Sequence, residues 1–133
     1  MANWYGASRS NYFKVKDADA FLADMARIPG LDVTNDERGF MVSGDEEGYW
    51  PSYRTSSGDA EYDEDIWLPD VIAEHLADGS IAVFQTAGAE KLRYLTGYAV
   101  AVDNKGGLVE VNIADIYGLA AAELGAEPSR AEY

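Results

Sequence analysis

The sequence predicts a single α+β domain, an antiparallel or mixed sheet with about three helices packed mainly on one face. Three observations predict it. Short alternating or apolar runs bounded by turn residues outnumber helical stripes, and helices interrupt them rather than follow them. The 133 residues suit one domain, and a content of 47% hydrophobic and 12% aromatic residues suffices for one core. No internal repeat or long linker divides the chain, so residues 1–126 read as the domain and 127–133 as a loose tail.

The elements follow in order. Asn3 to Lys16 ends as an alternating strand, with Phe13 and Val15 facing the core and Tyr12, Lys14 and Lys16 facing out. Asp17 is a good N-cap for a helix running to about Ile28, whose buried stripe is Phe21, Leu22, Met25 and Ile28. Pro29-Gly30 stops that helix. Two short strands, Leu31–Thr34 and Phe40–Ser43, flank a turn at residues 35–39. A second turn, Gly44–Gly48, leads into Tyr49–Arg54, which Pro51 assigns to a sheet edge. Residues 55–60 read as a polar loop. The next helix, about Asp65–Ala77, tolerates Pro69 in its first turn and presents Leu68, Val71, Ile72 and Leu76. Ile81–Gln85 and Leu92–Val102 read as the strongest strands, joined around Gly88. Leu108–Val111 follows a turn at residues 104–107. Asn112 with Asp115 resembles a capping box, opening a helix from Ile113 to Leu124 that buries Ile116, Ala120 and Leu124.

Charge is the most informative feature. There are 24 acidic residues against 10 Lys and Arg, a net charge of −14, which argues against gripping nucleic acid or an anionic membrane through a basic surface. The excess is concentrated: residues 32–78 hold fourteen acids against Arg38 and Arg54, a net of −12. Duplex DNA carries one charge per about 1.7 Å, so −12 matches roughly 20 Å of duplex. Aromatic residues, Tyr49, Trp50, Tyr53, Tyr62 and Trp67, interleave with these acids as interface anchors would. Acidic loops that keep a small protein soluble, with some acids capping the second helix, explain the same pattern.

Composition removes several chemistries. With no cysteine there are no disulfides, thiolate zinc sites or cysteine nucleophiles. The lone His75 disfavours His-rich metal centres and reads as a partly exposed helical residue. Asp59, Glu61, Asp63, Asp65 and Asp70 approach calcium-loop spacing, but Glu64 stands where the turn needs glycine and Asp70 is too short for a bidentate glutamate. The serines have no base or nucleophile-elbow context. No catalytic residue, metal or cofactor is therefore assigned. Absence of a basic-then-apolar leader or a long apolar run predicts a soluble, cytoplasmic protein. Arg9, Lys14, Lys16, Lys91 and Arg93 are the basic concentrations; if their strands were neighbours, a basic-aromatic strip would lie opposite the acidic region, where it could pair with the acids of a second copy. Ordinary solvated strand faces explain the same residues.

Asn3-Trp4-Tyr5-Gly6-Ala7-Ser8-Arg9-Ser10-Asn11-Tyr12-Phe13 and Glu90-Lys91-Leu92-Arg93-Tyr94-Leu95-Thr96-Gly97-Tyr98 resemble a family of small acidic proteins carried on bacterial plasmids, conjugative elements and phages. The resemblance implies a setting in which antirestriction and anti-CRISPR proteins help foreign DNA survive, and it carries no catalytic residue. The expectation is a non-enzymatic acidic inhibitor of a host anti-DNA defence complex, competing with nucleic acid for a basic surface. Its binding residues are Asp45, Glu46, Glu47, Asp59, Glu61, Asp63, Glu64 and Asp65, with Trp50 and Tyr62 as anchors. The partner is a nucleic-acid-binding protein, not nucleic acid or membrane. The rivals are a dimeric interaction module of a mobile element and a carboxylate- or metal-dependent enzyme.

Overall fold

The computed structural model describes residues 4–55 and 63–131. The chain runs β1 (Trp4–Ser10), α1 (Ala18–Met25), β2 (Asp32–Asp36), β3 (Gly39–Ser43), β4 (Tyr53–Arg54), β5 (Glu64–Asp65), α2 (Leu68–Ala73), β6 (Ala82–Glu90), β7 (Tyr94–Val102), β8 (Leu108–Asn112) and α3 (Asp115–Leu124). Six strands form one antiparallel sheet in the order β2-β3-β1-β6-β7-β8. β4 and β5 make a separate two-stranded ribbon, so the Pro51 segment lies off the main sheet rather than at its edge. The result is the α+β domain that the sequence predicts.

One face of the sheet builds the core. Phe40 and Val42 of β3, Ala82 and Phe84 of β6, and Val100 and Val102 of β7 meet Phe21, Met25 and Ile28 from the first helical segment. Leu68, Val71, Ile72 and Leu76 come from α2 and the turn after it. Phe21, fully buried, stands edge-on to Phe13 at 5.8 Å and tilted against Phe40 at 4.8 Å. Burial of such a side chain contributes about 2–3 kcal/mol.

α1 starts as expected, with the Asp17 carboxylate accepting from Ala20 N–H at 3.1 Å. Leu22 departs from the predicted stripe and is 44% exposed. The residues at i, i+4 and i+7 from Phe21 face the core, and Leu22 is turned about 100° away from Phe21.

α2 is shorter than predicted, with Trp67 at its N-cap and no side-chain cap; Asp65 is in β5 instead. The chain between β1 and α1 is strapped down by isolated bridges, Phe13 to Phe40 and Val15 to Leu76. The regular strand therefore lies earlier than its apolar alternation suggests. Phe13 is buried as expected, Val15 half-buried.

Gly88 is not a turn. It sits inside β6 opposite Gly6 of β1, and the chain reverses instead at Lys91, whose φ is +51°. Asn112 and Asp115 close the turn before α3 rather than cap it: Asn112 Oδ1 accepts from Ala114 N–H at 2.9 Å and the Asp115 carboxylate from Asn112 N–H at 2.8 Å. The helix begins at Asp115, with Ala114 as an N-cap that makes no side-chain bond. α3 buries nothing, and Ile116, Ala120 and Leu124 are not core residues. In the following segment, Arg130 stacks on Tyr117 and Ala131 N–H donates to its hydroxyl. β6 separates β1 from β7, so the condition for a basic strip fails. Lys14 and Lys16 lie beyond the Ser10 end of β1, whereas Lys91 and Arg93 lie at the turn beside Trp4.

Candidate functional site

Side chains alternate across a strand, so residues paired in register share a face. On the helix-bearing face, that alternation puts Trp4 and Gly6 beside Gly88 and Glu90, and Thr86 beside Tyr98. The two glycines leave a gap, and the Trp4 indole fills it; a methyl group on Gly88 would collide with that ring. Trp4 Nε1 donates to the Glu47 carbonyl at 2.8 Å, which brings the acidic turn onto the sheet. Asp45 holds that turn, its Oδ1 accepting from Glu47 N–H at 2.9 Å and Tyr49 N–H at 3.0 Å.

A cleft of about 380 Å³ results. All three tryptophans of the chain line it, Trp4, Trp50 and Trp67, together with Tyr49 and Tyr98. Trp4 and Tyr49 are stacked, with ring centroids 6.4 Å apart and planes 22° apart. Trp50 is half-buried, donates from Nε1 to Thr86 Oγ1 at 2.9 Å and stands edge-on to Phe84. Trp67, Tyr49 and Tyr98 stay open to solvent. A neighbouring hollow of about 420 Å³ shares Trp67 and Tyr98 and adds Glu110 and Asp115. Among the described residues, neither hollow is lined by Lys or Arg.

Two acidic segments adjoin stretches of this lining in sequence, and none of their acids lines the cleft itself. Asp45, Glu46 and Glu47, all exposed, run into the wall formed by Gly48–Ser52. Asp63, Glu64 and Asp65, also exposed, run into the wall formed by Ile66–Pro69. Their roles differ. Asp45 is committed to its own turn. Glu64 accepts from Arg54 Nε at 2.7 Å, which holds its carboxyl below the usual glutamate range. Arg54 is held charged by Glu64 first and then by Asp24. Asp59, Glu61 and Tyr62 lie outside the described residues.

Several contributors escape sequence reasoning. Trp4, Tyr98, Glu110 and Asp115 come from β1, β7, β8 and the start of α3, and only the strand order unites them. Asp24 is another. It pairs with Arg54 at 3.0 Å, Arg27 at 3.6 Å and His75 Nε2 at 2.7 Å, tying α1 to the ribbon and to the end of α2. His75 follows α2 rather than sitting within it, and packs edge-on to Phe21. Among the described residues, no helix is long and apolar enough to cross a membrane. No known protein family, curated protein or solved structure matches this chain.

Proposed function

We propose that the protein is a non-enzymatic inhibitor that docks its acidic, aromatic surface on the basic surface of a nucleic-acid-binding defence complex. It acts in the cytoplasm of a bacterial host and competes there with nucleic acid. The observation that carries this reading is one cleft lined by every tryptophan and by no cation among the described residues, two of whose lining stretches follow directly on exposed acidic segments. Carboxylates take the place of phosphates against Arg and Lys of the target. An inserted guanidinium or ammonium gains cation–π attraction of about 0.5–2 kcal/mol from an aromatic ring. Exposed acids speed encounter and confer salt dependence, whereas the aromatic cleft supplies contact area. The resemblance of Asn3–Phe13 and Glu90–Tyr98 to acidic proteins of mobile elements points to a defence complex rather than another basic partner.

The test is charge reversal at Glu46, Glu47, Asp63 and Asp65 to lysine, leaving Asp45 and Glu64 to their turn and ion pair. Purified restriction and CRISPR complexes, each with a labelled DNA target, are assayed for inhibition. Inhibition by the native chain that the reversed variant loses supports the reading. Inhibition undiminished in the variant rejects it.

A further inference from the structure

The opposite face of the sheet is uncovered. Across β1, β6, β7 and β8 it presents, row by row, Tyr5 with Ala89 and Leu95, Ala7 with Ala87 and Gly97, and Arg9 with Gln85, Ala99 and Val111. In a chain with 24 acids, none lies on this face of the four strands, and Arg9 is its one charge among the described residues. Arg9 Nε is tied to the Ser10 carbonyl, and its guanidinium stands 5.8 Å from the Tyr12 ring. Val109 is 65% exposed and Val111 58%. Ile113 lies over Gly97 and leads into α3, where Leu119 is 55% exposed. A ten-residue helix with no buried residue is marginal in water on its own.

The area points the same way. Tyr5, Leu95, Val109, Val111, Ile113 and Leu119, on this face and in the segment leading from it, are each 52–75% exposed, together several hundred Å² of apolar surface. Stable interfaces remove about 800 Å² or more from each partner, and obligate homodimers remove more. We propose that a second copy of this chain covers this face, the two sheets packing together with α3 of each copy closing over the interface. An isologous contact through a nearly uncharged patch keeps the −14 charges of the two copies away from the contact. It leaves both aromatic clefts, on the other face, facing outward, and does not depend on what they bind.

Sedimentation equilibrium of the full chain tests this, alongside Val111→Glu and Leu119→Glu. Both substitutions are at exposed positions, and circular dichroism checks their folding. The native chain is expected at twice 14.5 kDa. Each substitution buries an unpaired charge only in the dimer and weakens association by about 100-fold or more. A native chain that stays monomeric to about 100 μM overturns the proposal. So does a dimer that both substitutions leave intact, because its interface then lies elsewhere. Should Val111→Glu fail to fold, Leu119→Glu decides alone.

Discussion

The Trp4 indole occupies the space that a side chain on Gly88 would need, two strands paired glycine to glycine so that one ring lies over both. The ring then fixes the acidic turn through its bond to the Glu47 carbonyl. Gly88→Ala is expected to displace Trp4, costing about 1–3 kcal/mol in overpacking or lost contacts. Tryptophan emission shifts to the red as the ring leaves its site, and the melting temperature falls. Unchanged emission contradicts this account of the glycine.

Asp45 separates turn geometry from charge. Asp45→Asn retains an acceptor for Glu47 and Tyr49 N–H, so stability stays within about 0.5 kcal/mol of native. Asp45→Ala removes the acceptor, costs about 1 kcal/mol and loosens the turn. Urea unfolding of the two variants reads the difference. Equal losses in both would show that the carboxylate acts through its charge instead.

Asp24 is expected to matter more for folding than for binding. Asp24→Ala leaves Arg27, Arg54 and His75 together without their carboxylate, and the loss is about 2–3 kcal/mol. Asp24→Asn, which still accepts a hydrogen bond, loses less. Chemical denaturation at neutral pH gives both values.

Acid weakens specific contacts. Glu64 beside Arg54, Asp36 beside Arg38, and Asp103 accepting from the N–H groups of Lys105 and Gly107 all have carboxyls lowered by those partners. A carboxyl lowered in the folded state contributes stability that is full above its unfolded pKa and is lost as pH falls through the folded one. Stability therefore declines from about pH 4 downward, since unfolded carboxyls titrate near 3.9 and 4.3. Glu64→Gln shallows that decline and lowers the plateau above pH 6, where the native carboxylate is charged and paired with Arg54. A steeper decline in the variant would contradict the assignment.

The helix-bearing core was legible because local signals and packing agree there. Asp17 caps α1, and Phe21, Met25 and Ile28 keep helical spacing towards the sheet. The sequence points to a strand later than β1 for a physical reason. Its inward positions are Trp4, Gly6, Ser8 and Ser10, so the apolar alternation that marks a strand is silent there. Gly88 carries a turn residue's signature yet serves an aromatic ring from another strand. The β4–β5 ribbon is two charged, two-residue strands that only long-range pairing defines. α3 has an apolar stripe, but no stripe reveals whether its cover belongs to the same chain. Of the site, the acids and Trp50 were visible as residue types. Their meeting with Trp4 and Tyr98 depends on the order β1-β6-β7, which no local pattern encodes.

The most direct measurement is displacement of a labelled duplex from a purified DNA-binding restriction or CRISPR complex by the native chain, titrated at low and at high salt. Competitive displacement is expected at low salt and weakens steeply as salt rises, because screening over about 8 Å at physiological ionic strength removes the attraction of the exposed acids. Displacement insensitive to salt, or binding to such a complex that leaves the duplex in place, would contradict it.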